Sequence, residues 1–163
     1  MRPRRQPGAK NVDDASLILT CSKCLTKNRI PSERAGDDPT CGTCGTALLD
    51  GGIVHLTDAN FKQVTEMSDI PVLVDFWAPW CGPCRSMEPQ FEQAARELKG
   101  KALLVKIDID QNARSSLRYR VRSIPTVIKL DKGVEVGRTT GAVSSAEIVV
   151  LANKASAAKP AAA

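Results

Sequence analysis

All six cysteines of this 163-residue chain fall in pairs with two residues between them. Two pairs lie close together, Cys21-Ser-Lys-Cys24 and Cys41-Gly-Thr-Cys44, with sixteen residues separating Cys24 from Cys41. That spacing suits a four-cysteine zinc site. Two thiolates across a two-residue turn chelate one ion, and a second such knuckle completes a tetrahedron, which Zn²⁺ accepts readily. Gly42 and Gly45 permit tight turns and leave backbone N–H groups to stabilise sulfur charge, and Lys23 and Lys27 offset the charge of the site. Two disulfides or a four-thiolate iron site satisfy the same spacing. One zinc ion held by Cys21, Cys24, Cys41 and Cys44 is the expectation.

The third pair, Trp80-Cys81-Gly82-Pro83-Cys84, has a different setting. It follows a short apolar run and precedes a helical pattern. A thiol at a helix N-terminus meets the positive end of the dipole and unpaired N–H groups, which favour the thiolate. Cys81 is therefore expected at the cap with its sulfur exposed, as a nucleophile. Cys84, one turn in and more buried, would be the resolving thiol, and Pro83 suits the first helical turn. The pair could instead be half of a metal site, but no unused CxxC remains to complete it. Asp75 interrupts the apolar run six residues before Cys81. A carboxylate there should have a raised pKa and accept a proton from Cys84, unless it is simply an outward-facing strand residue. His55, the single histidine, is expected to be structural or exposed.

The elements needed to hold these groups are legible along the chain. Residues 11–50 hold four cysteines, few large apolar side chains and many turn formers, and so small a segment needs a metal or a staple. Asp50-Gly51-Gly52 reads as a linker. Beyond it come a capped helix over Thr57–Met67, a buried strand over Pro71–Ala78 and a helix over Gly82–Lys99. A strand over Ala102–Ile109, a helix over Asn112–Tyr119 and a strand over Thr126–Leu130 follow. Asp131-Lys132-Gly133 turns into a strand over Val134–Thr140, and a helix capped by Ser144 runs to Asn153. The order from Pro71 is β-α-β-α-β-β-α, a mixed sheet flanked by helices.

Composition narrows the class. Hydrophobic residues make up 42% and charged residues 25%, a globular balance. No stretch approaches the ~20 apolar residues of a membrane span. The net charge of +5 arises mostly from Arg2, Arg4, Arg5 and Lys10, in a Pro- and Gly-containing tail expected to be flexible. No apolar segment follows that tail as in a secretory signal, so a cytoplasmic, reducing location is expected if Met1 begins the unprocessed chain. The ribbon shows neither an aromatic platform nor a basic stripe, and nucleic-acid binding is not expected.

The segment Val74-Asp-Phe-Trp-Ala-Pro-Trp-Cys-Gly-Pro-Cys-Arg85 resembles the thioredoxin family. Pro89, Lys106, Ile124-Pro125-Thr126, Gly133 and Gly141 follow in matching order, from Ile53 to Asn153. The four N-terminal cysteines with Asn28-Arg29-Ile30-Pro31 and Asp50-Gly51 are similar to the zinc-containing bacterial branch of that family. The resemblance implies an α/β thioredoxin fold over 53–154 preceded by a zinc ribbon over 15–50. Residues 1–14 and 155–163 would be a basic tail and a disordered Ala-rich tail. It implies a protein-disulfide reductase, with Lys106 pairing with Asp75. Trp80, Gly82, Pro83, Ile124 and Pro125 would form the substrate rim, a cis peptide before Pro125 presenting the Ile124 backbone. Partners would be disulfide-containing proteins and an NADPH-driven flavin thioredoxin reductase, with neither flavin nor nicotinamide bound by this chain. Alternatives are a thiol oxidant or isomerase, a zinc-ribbon protein-binding module, or a ribbon that senses oxidation. Lys129 and Ser123 depart from the usual pattern.

Overall fold

The computed structural model describes residues 15–155, so both expected tails lie outside the described residues. The chain forms β1 (Ser16–Thr20), β2 (Lys27–Pro31), a 3-10 turn (Ser32–Arg34), β3 (Ile53–His55) and α1 (Phe61–Glu66). It continues as β4 (Val72–Trp77), α2 (Gly82–Glu97), β5 (Leu103–Asp108) and α3 (Ala113–Arg118), and closes as β6 (Thr126–Asp131), β7 (Val134–Thr140) and α4 (Ser145–Asn153). No helix among the described residues is long and apolar enough to cross a membrane.

The main sheet has the order β3-β5-β4-β6-β7. β3, β5 and β4 run parallel, while β6 and β7 pair antiparallel on the other side. Being central, β4 is covered on both faces, which explains its nearly unbroken apolar sequence. On one face Val72, Val74, Phe76, Val105, Ile107, Ile128 and Leu130 pack with Phe61 and Tyr119. On the other, Leu73, Leu104 and Val127 meet Met87, Phe91 and Leu98 of α2 and its C-cap, and Ile148 and Leu151 of α4. Pro89 lies inside α2, where its ring leaves the Arg85 carbonyl without its helical N–H and favours a bend. Ser144 caps α4 in a capping box with Glu147.

Several boundaries differ from the sequence reading, each for a local reason. The first helix starts at Phe61 instead of Thr57. Residues 57–60 form a turn in which Asn60 Oδ1 accepts the Thr57 N–H at 2.8 Å. The Asp58 carboxylate reaches across to α3, accepting the Ser115 N–H at 3.0 Å and the Arg114 N–H at 3.2 Å. An aspartate at the start of the segment read as one capped helix thus caps another. β3 was not expected: its three residues are too few to show alternation and become a strand by pairing with β5. β1 and β2 form an antiparallel ribbon within the segment read as turns.

That ribbon is packed on the main sheet's own core. Leu19, Ile30, Ala35, Leu48 and Leu49 belong to one buried cluster with Leu56, Phe61, Val64 and Ile70. The backbone is tied as well. The Asp69 N–H donates to the Ile18 carbonyl at 2.8 Å, and the Ile18 N–H to Asp69 Oδ2 at 2.7 Å. Asp50–Gly52, read as a linker, is a turn in which the Gly52 N–H donates to Asp50 Oδ1 at 2.8 Å. Gly51 adopts φ +81 there, against the Lys99 side chain.

Candidate active site and metal centre

β4 delivers the chain through Ala78 into the tip of α2. Cys81 is the N-cap of that helix, and its Sγ accepts the Cys84 N–H at 3.2 Å. Pro83 lies in the first turn, where a missing N–H costs nothing. Cys81 and Cys84 are joined as a disulfide. The expected burial of Cys84 is seen, but the expected exposure of Cys81 is not: Cys81 is only 4% exposed. Ala78, Trp77, Ile109 and Ile124 pack around the pair.

The Ile124–Pro125 peptide is cis, and the Ile124 carbonyl lies 3.8 Å from Cys81 Sγ. Trp80, preceding Cys81 in the chain, is 68% exposed, with its Nε1–H donating to Asp110 Oδ2 at 2.7 Å. Gly82 and Pro83 are exposed on the helix tip. A Cβ on Gly82 would meet nothing within 4 Å, so the flat surface there comes from a missing side chain and not from crowding. The Ile124 carbonyl thus lies against the Cys81–Cys84 pair, with the exposed Trp80 indole next to Cys81 in the chain.

Asp75 lies in β4 at 0% exposure, and neither of its oxygens has a hydrogen-bond partner among the described residues. Burial pushes its carboxyl up to about 7, with Lys106 opposing and Glu88 reinforcing the rise. The outward-facing alternative is thereby corrected: β4 is covered on both sides, and Asp75 faces inward. The expected Lys106–Asp75 pairing is not seen either. Lys106 is Asp75's neighbour in the parallel register, but its Nζ bonds to Glu88 Oε1 at 3.3 Å and sits 4.1 Å over the Trp77 ring. Sequence reasoning missed Glu88, since a glutamate on an exposed helical face gives no signal of an inward partner. His55 is exposed on β3. Lys129 is buried, its ammonium donating to the Lys154 carbonyl at the end of α4.

The other four cysteines converge. Their sulfurs all lie within 4.8 Å of one another, and Cys21–Cys44 and Cys24–Cys41 are each separated by 3.6 Å. Zn–S bonds of about 2.3 Å place tetrahedral sulfurs about 3.8 Å apart, so the donors fit zinc in kind, number and spacing. The two knuckles repeat each other. Cys21 N–H donates to Thr26 O and Leu25 N–H to Cys21 O; Cys41 N–H donates to Thr46 O and Gly45 N–H to Cys41 O. The last turn residue has positive φ in both, +63 at Leu25 and +76 at Gly45. Glycine is thus used in one knuckle, while leucine bears the conformational cost in the other.

Backbone N–H groups of Cys44 and Thr43 pull the Cys41 thiol down to about 6, whereas burial pushes Cys21 up to about 11. The Gly42 N–H was expected to serve sulfur, yet it donates to Asn28 Oδ1 at 3.0 Å, and Asn28 Nδ2 in turn reaches Cys41 Sγ at 3.5 Å. Asn28 is thus an outer partner of the four-cysteine cluster, bracing one knuckle from β2. On the far side, Asn60 Nδ2 donates to the Ser22 carbonyl inside the first knuckle at 2.9 Å.

Comparisons with known proteins agree with this geometry. The family model described as Thioredoxin matches residues 52–154, and the model described as Thioredoxin 2, N-terminal, a zinc ribbon, matches residues 20–46. The chain is similar to Thioredoxin C-3 of Corynebacterium nephridii, 42% identical over 132 residues, which cover 81% of this chain and 90% of that one. It is similar to Thioredoxin of Haemophilus influenzae, 39% identical over 63% of this chain and 95% of that one. Thioredoxin 1 of Nostoc is 47% identical over 55% of this chain and 83% of its own length.

Proposed function

The chain belongs to the thioredoxin family of protein-disulfide oxidoreductases, and on that footing we propose that it reduces disulfides of client proteins through Cys81 and Cys84. The observation that carries this reading is the capping geometry. Cys81 Sγ sits on the first turn of α2 and accepts a backbone N–H, which stabilises a thiolate more than a thiol.

In the reduced protein the Cys81 thiolate attacks one sulfur of a client disulfide. A mixed disulfide forms, and the other client sulfur leaves with the bonding electron pair and takes a proton from solvent. The Cys84 thiol then passes its proton to the Asp75 carboxylate. Cys84 sulfur attacks Cys81, the second client sulfur departs as thiolate, and the enzyme is left with the Cys81–Cys84 disulfide. Two electrons have moved from the enzyme dithiol to the client. A carboxyl poised near neutrality suits that transfer, because it can both accept and return a proton. Lys106 moderates its charge. Trp80, Gly82, Pro83 and Pro125 form the rim on which the client docks, and the Ile124 backbone offers it strand-like pairing.

A flavin-containing, NADPH-driven thioredoxin reductase would restore the dithiol, the flavin and nicotinamide being bound by that partner. A cytoplasmic setting, which keeps such thiols reduced, goes with this reading. Cys21, Cys24, Cys41 and Cys44 would hold one zinc ion, which supplies a cross-link for the ribbon. Oxidation of those thiolates would release the metal and loosen the ribbon, making it a sensor of oxidants.

Reduction of a protein disulfide, driven by dithiothreitol or a reductase, tests the assignment. Cys81→Ser abolishes turnover, while Cys84→Ser accumulates a mixed disulfide through Cys81. Full activity in the Cys81 variant would sink the reading.

A further inference from the structure

A groove of about 520 Å³ runs along the edge where β3 and β5 meet α2. Its charged and titratable walls are Asp50, His55, Glu88, Glu92, Arg96 and Lys106. Five of these are exposed; the Lys106 side chain is only 3% exposed and reaches the groove from within the protein. Behind it stands Asp75, its neighbour across the β4–β5 pair, so both side chains project to the same face of the sheet. An ammonium in that position would ordinarily turn to the adjacent carboxyl. Instead it is held by Glu88 at 3.3 Å and by the Trp77 ring at 4.1 Å, and both Asp75 oxygens stay without partners.

We propose that Glu88 is a positioning residue: it anchors Lys106 at the groove wall, leaves Asp75 without a counter-ion, and makes Lys106 a swinging link between the buried acid and solvent. The inference rests on the reading of Asp75 as proton acceptor for Cys84. In the reduced protein with Asp75 ionised, Lys106 turns from Glu88 to the Asp75 carboxylate. When Cys84 gives its proton to Asp75, that attraction vanishes and Lys106 returns to Glu88. The electron pair left on Cys84 sulfur makes the new bond to Cys81. The structure, which has the disulfide formed and Lys106 on Glu88, matches the end of that sequence.

The charges around the pair favour this arrangement. Among the described residues, Lys106 and Glu88 are the charges that act on Asp75, Lys106 lowering and Glu88 raising its carboxyl. On α2, Glu92 and Arg96 continue the groove one and two turns past Glu88, and His55 faces it from β3. On β6, the Lys129 ammonium is committed to the Lys154 carbonyl. Removing the Glu88 charge therefore acts on Asp75 twice: a like charge is lost, and Lys106 is freed to pair. Both push the Asp75 carboxyl down.

The test is carbon NMR titration of the Asp75 carboxyl in full-length, zinc-loaded, oxidised protein, with Asp75→Asn identifying the signal. In Glu88→Gln the midpoint should fall by about one pH unit or more, the scale of an opposite charge brought within ~4–6 Å. Glu88→Asp, which keeps the anion, should restore most of it, and Glu92→Gln should leave it in place. An unmoved midpoint in Glu88→Gln, or an equal fall in Glu92→Gln, overturns the proposal. The pH profile of mixed-disulfide resolution by Cys84 is read on the same variants and should move with the midpoint. A midpoint that falls while the rate profile stays fixed upholds Glu88 as the anchor of Lys106 and refutes Asp75 as the acceptor.

Discussion

Replacing Asp75 with Asn should remove one pH-dependent contribution to stability, the one that Asp75 itself makes. The folded protein holds the Asp75 proton until about pH 7, against an ordinary value of 3.8. Because the folded value is raised, the favourable contribution is complete below pH 3.8. It is lost progressively as pH rises through 7, and no further loss follows above that. A window from pH 5 to pH 8 keeps the metal-binding thiols out of acid and still captures two units of that range. At about 1.36 kcal/mol per unit, the wild type should lose about 3 kcal/mol over this window relative to Asp75→Asn. The difference between the two proteins matters, not either slope, since every other titrating group is common to both. Urea unfolding of the oxidised, zinc-loaded proteins at pH 5, 6, 7 and 8 measures it. Stability curves that run parallel across the window would refute the claim that Asp75 is an unpaired buried acid. A wild type that gained stability relative to Asp75→Asn as pH rises would mean that Lys106 pairs with Asp75 after all.

Other outcomes follow from the remaining geometry. Metal analysis should find one zinc per chain, with only Cys81 and Cys84 titrating rapidly after mild reduction. Cys41→Ser should lower metal content and make the remaining ribbon thiols reactive. Asp58→Ala leaves the Ser115 and Arg114 N–H groups at the start of α3 without their carboxylate. The loss should be about 1 kcal/mol in thermal or urea unfolding, with little change in zinc content.

What the sequence disclosed is what is encoded locally. The CxxC spacings, the Ser144 cap and the turn at Lys132–Gly133 depend on residues a few positions apart, and their chemistry could be read directly. The strand with Asp75 was recognisable because a single carboxylate broke an apolar run. Long-range choices were not visible. Asp58 lies just before α1 in sequence and yet serves α3, because a cap depends on which N–H groups arrive nearby. Lys106 has an aspartate beside it in the sheet and bonds to a glutamate from the helix above. The burial of Cys81 depends on Ile109 and Ile124, which lie far along the chain. Asn28 carries no mark of its role until β2 brings it beside the second knuckle.

The leucines of the ribbon bear on how the chain is made. Leu19, Leu48 and Leu49 are covered in part by Leu56, Phe61, Val64 and Ile70, which leave the ribosome after them. A nascent chain that has reached Asp50 carries all four ribbon cysteines but none of that cover. The same holds for a fragment cut at Gly51, which would present a greasy underside to water. The ribbon is therefore poorly suited to act as a cassette transplanted onto another protein, and its exchange between relatives would require the facing residues to travel with it.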